Sequence, residues 1–185
     1  ESRADAQTPL KDPIAAQLTK NKWKVIDGFR SAKFGMNEKQ VLRAIARDFK
    51  IPRNKVSLQM NLMERTKTLT IRVPNLLIQG ESADIVYILG YKSKKLTTIN
   101  IDWGAGVTNN FDPEKIITSA NLLRDHLMKK RYKREGFLTN AKLRDDLYIV
   151  FRGRDKKDRT ILLRFKKPAP QKGEDFLAAR KHVSL

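Results

Sequence analysis

The chain has 185 residues, with 39 Lys and Arg against 20 Asp and Glu, a formal charge of +19 and no cysteine. A hydrophobic share of 40% suffices for one packed core, while the lack of cysteine excludes a disulfide framework, a zinc ribbon, a thiol nucleophile and an iron–sulfur cluster. Two histidines argue against a His-based metal site, and no apolar run approaches the roughly 18 residues that a membrane-spanning helix needs.

The sequence starts at Glu1, which reads as the end of a processed or trimmed product, and residues 1–11 read as a flexible polar leader. Asp12–Ile26 stays open between a helix (Ile14, Leu18, Trp23) and a strand (Trp23, Val25). The next clear signal is Asn37, an N-cap residue with Gln40 three positions on, the spacing of a capping box. Val41, Leu42, Ile45 and Phe49 then mark one face of a first helix, which Pro52 stops. Gly35 supplies a tight approach or a positive φ just before the cap, and Phe34 and Met36 can fold over the first turn.

Strands follow. Val56, Leu58, Met60 and Leu62 alternate and form a strand or an irregular lead-in. Leu69, Ile71 and Val73 mark a half-buried strand ended by Pro74. Asp84–Tyr91 and Leu96–Trp103, joined by a polar turn, give the clearest hairpin, with Ile99, Ile101 and Trp103 sharing a face and Gly104 ending it. Its residues Val86, Tyr87 and Ile88, partly exposed, offer a contact edge. Asp112-Pro113 starts a second helix with a buried stripe of Ile116, Ala120, Leu123 and Leu127. Leu147, Ile149 and Phe151 open a second hairpin that Thr160–Phe165 closes. Pro168–Gly173 breaks structure and opens a tail over 168–185, in which Glu174–His182 can form a short helix.

The expected fold is therefore α+β: one antiparallel twisted sheet in a two-layer arrangement, with two main helices on one face. Residues 12–167 make one domain, with helix-plus-hairpin halves at 29–103 and 112–167 that echo each other loosely.

The charge is uneven. Residues 11–60 carry 12 Lys and Arg against 4 Asp and Glu, 61–120 carry 7 against 6, and 121–170 carry 16 against 6. The densest group is Lys129, Lys130, Arg131, Lys133 and Arg134 at the end of the second helix. Three loop groups join it in sequence: Lys92, Lys94 and Lys95; Arg152 and Arg154; Lys156 and Lys157. Each group alone reads as a solvated surface, since cations belong at a helix C-terminus. Together they create a field that steers anions. All twelve are candidate contacts for an acidic protein, an anionic envelope polymer or a lipid surface. Nucleic acid is the second choice, because the composition fits but no zinc finger, helix-turn-helix, KH or RNA-stacking motif is present. Phe151 beside Arg152 and Arg154 could stack a base, but its place in the apolar register favours the core.

Catalytic signals are weak. His126 lies off the helix stripe and His182 lies in the tail. Asp145-Asp146 flanks a turn, and Asp155 and Asp158 sit among lysines that oppose a cation. No phosphate-binding glycine loop occurs. The reading is a protein without catalysis, cofactor or metal.

Three stretches carry a resemblance. Phe29–Phe49 (FRSAKFGMNEKQVLRAIARDF) is similar to the aromatic-Gly-Met-x-x-x-x-Val helix start of small bacterial periplasmic proteins. Asp84–Ile101 resembles the strand–turn–strand that follows it. Leu122–Phe165, with Phe151-Arg152-Gly153 and Asp155, resembles their later module. Outer-membrane assembly lipoproteins of the BamE/SmpA type share the Gly-Met start, with a different layout. This chain shows no N-terminal cysteine for lipidation, so the resemblance implies an exported protein, periplasmic or secreted, of the cell envelope without a lipid anchor. A cytoplasmic location goes with the nucleic-acid alternative.

Overall fold

The computed structural model describes residues 21–77 and 81–167. The expected leader, the tail with its helix, and His182 lie outside the described residues. The elements in chain order are β1 (Gly28–Phe29), β2 (Ala32–Lys33), α1 (Glu38–Phe49), a 3₁₀ turn (Arg53–Lys55), β3 (Ser57–Asn61), β4 (Thr66–Val73), β5 (Ala83–Leu89), β6 (Leu96–Trp103), α2 (Pro113–Met128), β7 (Leu138–Arg144), β8 (Leu147–Arg154) and β9 (Thr160–Lys166). The class is α+β, as expected.

α1 starts where its capping chemistry puts it. The Gln40 N–H donates to Asn37 Oδ1 at 3.0 Å, and the Asn37 N–H donates back to Gln40 Oε1 at 2.9 Å. Gly35 takes φ +90°, a conformation that a side chain would strain. The helix ends at Lys50, left-handed at φ +59°, two residues before Pro52. Val41, Ala44 and Ile45 are buried and share one cluster with Leu69, Ile71, Ile85, Tyr87, Leu89 and Leu96, while Phe34 and Met36 pack against it.

The partners in that cluster come from a four-stranded antiparallel meander in the order β3-β4-β5-β6. In β5 every second residue is buried (Ala83, Ile85, Tyr87 and Leu89), the alternation that one covered face demands. Tyr87 is therefore no contact residue. It is fully buried, its hydroxyl has no partner among the described residues, and burial foremost, with the nearby Asp48 charge, pushes its pKa up.

α2 is capped by Asp112, whose Oδ1 accepts the Glu114 N–H at 3.0 Å, with Pro113 in the first turn. It is followed by a separate three-stranded antiparallel sheet, β7-β8-β9. The single expected sheet is thus corrected: the described residues build three, counting the two-residue pair β1–β2. β7 is not among the strands expected from the sequence. Leu138–Arg144 carries Lys142 and Arg144 and buries none of its residues fully, so its alternation is faint. The expected stripe of α2 is only partly covered. Leu127 is buried, whereas Ile116, Ala120 and Leu123 line a cavity of about 630 Å³ bordered by β6 and β9, with Ile101, Trp103 and Phe165 on its other walls.

The start of the described chain links the halves. Lys24 N–H donates to the Arg131 carbonyl and Arg131 N–H to the Lys22 carbonyl, both at 2.9 Å. Ile26 N–H reaches Asp155 Oδ2 at 3.0 Å. A few residues later the chain joins the first half, where Gly35 N–H donates to the Leu96 carbonyl at 2.8 Å.

Candidate anion-binding surface

Phe151, Tyr132 and Phe137 form the base of the candidate site. Their ring centroids lie 5.2, 5.7 and 6.1 Å apart, the closest two pairs edge to face. Phe151 is fully buried and therefore unavailable to stack a base. The Tyr132 hydroxyl donates to the Leu127 carbonyl at 3.1 Å, and burial pushes its pKa up. Gly153 lets Tyr132 in: a Cβ there would sit 2.6 Å from Tyr132 Cδ1. The stretch from Phe151 to Gly153 is thus structural. Phe151 fills the core, Arg152 Nε donates to the Gly136 carbonyl at 2.8 Å, and Gly153 makes room for Tyr132.

Asp155 fixes the turn between β8 and β9. Its side chain is 2% exposed. It accepts N–H groups of Ile26, Lys157 and Arg159 at 3.0, 2.8 and 3.0 Å, plus the Arg159 guanidinium at 2.9 Å. Burial alone would raise its pKa, but hydrogen bonds from Ile26, Arg159 and Lys157 outweigh it and hold the carboxyl below the usual range. Folding therefore gains from Asp155 above the ordinary carboxylate pKa, and that gain is lost as pH falls through the lower folded value.

This base brings two sequence-distant cation groups together. Lys133 N–H donates to the Arg154 carbonyl at 3.0 Å, and Lys133 Nζ pairs with Asp158 at 2.8 Å, which holds the Asp158 carboxyl low. Trp23 contacts a cation from each group. The Arg131 guanidinium lies 4.5 Å and Lys156 Nζ 4.9 Å from its ring centroid. Around this hub, Lys129, Arg134 and Lys157 are exposed and Lys130 is half-buried, and none of the four has a side-chain ion pair among the described residues. In sequence, Trp23 fits both a helix and a strand. Its only signal was an aromatic within a run of lysines.

Lys92, Lys94 and Lys95 belong to the other half, in the exposed turn between β5 and β6. Lys95 bridges to Asn37 at the start of α1, and Lys94 Nζ sits 4.9 Å from the Tyr91 ring. They form a second basic group with its own aromatic.

The carboxylates weighed for catalysis face cations. Asp145 pairs with Lys142 at 2.7 Å, and Asp146 lies 3.5 Å from Arg144, both in the turn between β7 and β8. His126 is exposed. Among the described residues no three His, Cys, Asp or Glu gather as metal ligands, and no helix is long and apolar enough to cross a membrane. Comparison with known protein families, curated proteins and solved structures gives no match to this chain.

Proposed function

We propose that the protein works by binding rather than by catalysis, and that it docks an anionic partner, an acidic protein or envelope polymer, on the basic surface around Trp23. The observation that carries this reading is Trp23 held between Arg131 and Lys156. That contact ties the segment after α2, which carries Lys129, Lys130 and Arg134, to the β8–β9 turn, which carries Lys156 and Lys157, and Lys133 N–H meets the Arg154 carbonyl at the end of β8. Cations gathered on a rigid aromatic base cost little reorganisation on binding, and their summed field speeds encounter with an anion.

Two further parts of the reading rest on sequence. The resemblance of the Phe34-Gly35-Met36 helix start supports an exported protein of the bacterial envelope. The burial of one face of α1 against β4 and β5 supports a two-layer arrangement in the first half. Fractionating cells that express the full precursor tests the location, and recovery in the cytoplasm would overturn it.

Polyglutamate is the probe for the surface. Replacing Lys129, Lys130, Arg134 and Lys157 by Gln should weaken its binding at least about tenfold at low salt. Replacing Lys92, Lys94 and Lys95 should leave most of it intact. Equal losses from both sets would reduce the surface to net charge, and the docking reading would fail.

A further inference from the structure

The first half carries a feature that the Trp23 surface does not use. β3 is an edge strand, and all five of its residues are exposed. By register, Leu58 lies opposite buried Leu69 and Met60 opposite Lys67, so both sit on the face that carries buried Leu69, Ile71 and Val73 further along the sheet. Beyond them the turn into β4 presents Leu62 and Met63, 84% and 94% exposed. Scattered apolar side chains on a surface need no explanation, but a contiguous group at a protruding tip does.

The tip is held in shape. Asn61 Oδ1 accepts the Met63 and Glu64 N–H groups at 3.0 and 3.1 Å, and Arg65 turns the chain at φ +53°. Pairing of Lys67 with Leu89 puts the β5–β6 turn at the same end of the sheet. The two turns touch: Arg65 Nη1 donates to the Tyr91 hydroxyl at 3.4 Å, and its guanidinium lies 5.6 Å from the Tyr91 ring. Lys92, Lys94 and Lys95 follow at once, all exposed. One end of the sheet thus offers an apolar tip, a half-exposed tyrosine behind it and a collar of four cations, with Glu64 the single acid in either turn.

We infer that this end of the sheet inserts into an anionic phospholipid bilayer, with Leu62 and Met63 entering the acyl boundary, Tyr91 at headgroup depth and Arg65, Lys92, Lys94 and Lys95 on the lipid phosphates. Charge complementarity selects this occupant, and so does shape, because a projecting pair of apolar side chains suits a deformable surface. Amphipathic aromatics settle at such interfaces, cations next to anionic lipid add to the attraction, and buried apolar area sets the anchoring strength. The inference uses residues of the first half only and stands whether or not the Trp23 surface binds anything.

The test exploits the absence of cysteine from the chain. Met63→Cys, labelled with an environment-sensitive nitrobenzoxadiazole dye, is mixed with vesicles of equimolar phosphatidylcholine and phosphatidylserine and with vesicles of phosphatidylcholine alone. A blue shift and brightening with the anionic vesicles only is the expected result. In flotation assays of the unlabelled chain, Leu62→Ser with Met63→Ser should weaken binding at least about tenfold, and Lys92→Gln, Lys94→Gln and Lys95→Gln together should weaken it several-fold. Both sets lie on exposed turns, and circular dichroism checks that they fold. Vesicle binding with an unchanged dye spectrum, or no vesicle binding, would overturn the inference. So would a dimer in sedimentation that the serine variants abolish, since the tip would then serve a second copy of the chain.

Discussion

In the first half, α1, β4, β5 and β6 share one buried cluster of aliphatic side chains plus Tyr87, with few charges in β4 and β5. Among the described residues of the second half, the core cluster buries Leu127, Tyr132 and Phe151, and α2 leaves a cavity along part of its apolar stripe. A small core of aromatic rings, closed by backbone hydrogen bonds to Asp155, leaves room at its surface for closely spaced cations. A large aliphatic core spends its surface on coverage. The densest charge thus sits in the half with the smaller hydrophobic core.

Substitutions can break that contrast, and the largest effect belongs to the aliphatic core. Ile45→Ala should cost about 2–5 kcal/mol in urea unfolding, and Leu123→Ala, on the cavity wall, less than about 2 kcal/mol. Equal costs would mean that the two cores are equally tight. Next comes Asp155→Ala, which strips four donors of their acceptor and should cost about 3 kcal/mol at neutral pH. Its difference from wild type should shrink on acidification below the ordinary carboxylate pKa, near about 4. A difference that does not vary with pH would show that the carboxylate charge is not what holds the turn.

Gly153→Ala sharpens the aromatic part of the comparison. With a Cβ 2.6 Å from Tyr132 Cδ1 and 2.9 Å from Phe151 Cζ, overpacking should cost about 1–3 kcal/mol and disturb near-ultraviolet circular dichroism. A silent substitution would contradict the tight seat described for Tyr132. The smallest expected effect is on stability in the variant lacking Lys129, Lys130, Arg134 and Lys157, within about 0.5 kcal/mol of wild type. A larger loss would place those cations in the scaffold.

Local signals were legible wherever the chemistry is local. Asn37 and Gln40 name the start of α1, Asp112-Pro113 names the start of α2, and the alternation of β5 and β8 names the covered face. Phe151 belongs to the core, as its register implies. Features that depend on assembly were not legible. β7 has two cations among seven residues and buries none of them fully, so no period marks it. The division into separate sheets depends on which edges meet, and neither turn chemistry nor burial period encodes that. Tyr87 reads as an exposed hairpin residue in sequence and becomes buried only in the cluster it shares with Val41, Ala44 and Ile45. Trp23 acquires its role only when Lys22–Ile26 runs beside Arg131 and Asp155, more than a hundred positions away in sequence.

The most direct test of the account is a backbone amide map of the chain titrated with polyglutamate by nuclear magnetic resonance. Shifts should appear together at Trp23, at Lys129–Arg134 and at Arg152–Lys157, at one common affinity. Shifts in only one of these segments, or equal shifts at Lys92–Lys95, would contradict the claim that distant cation groups form one binding surface.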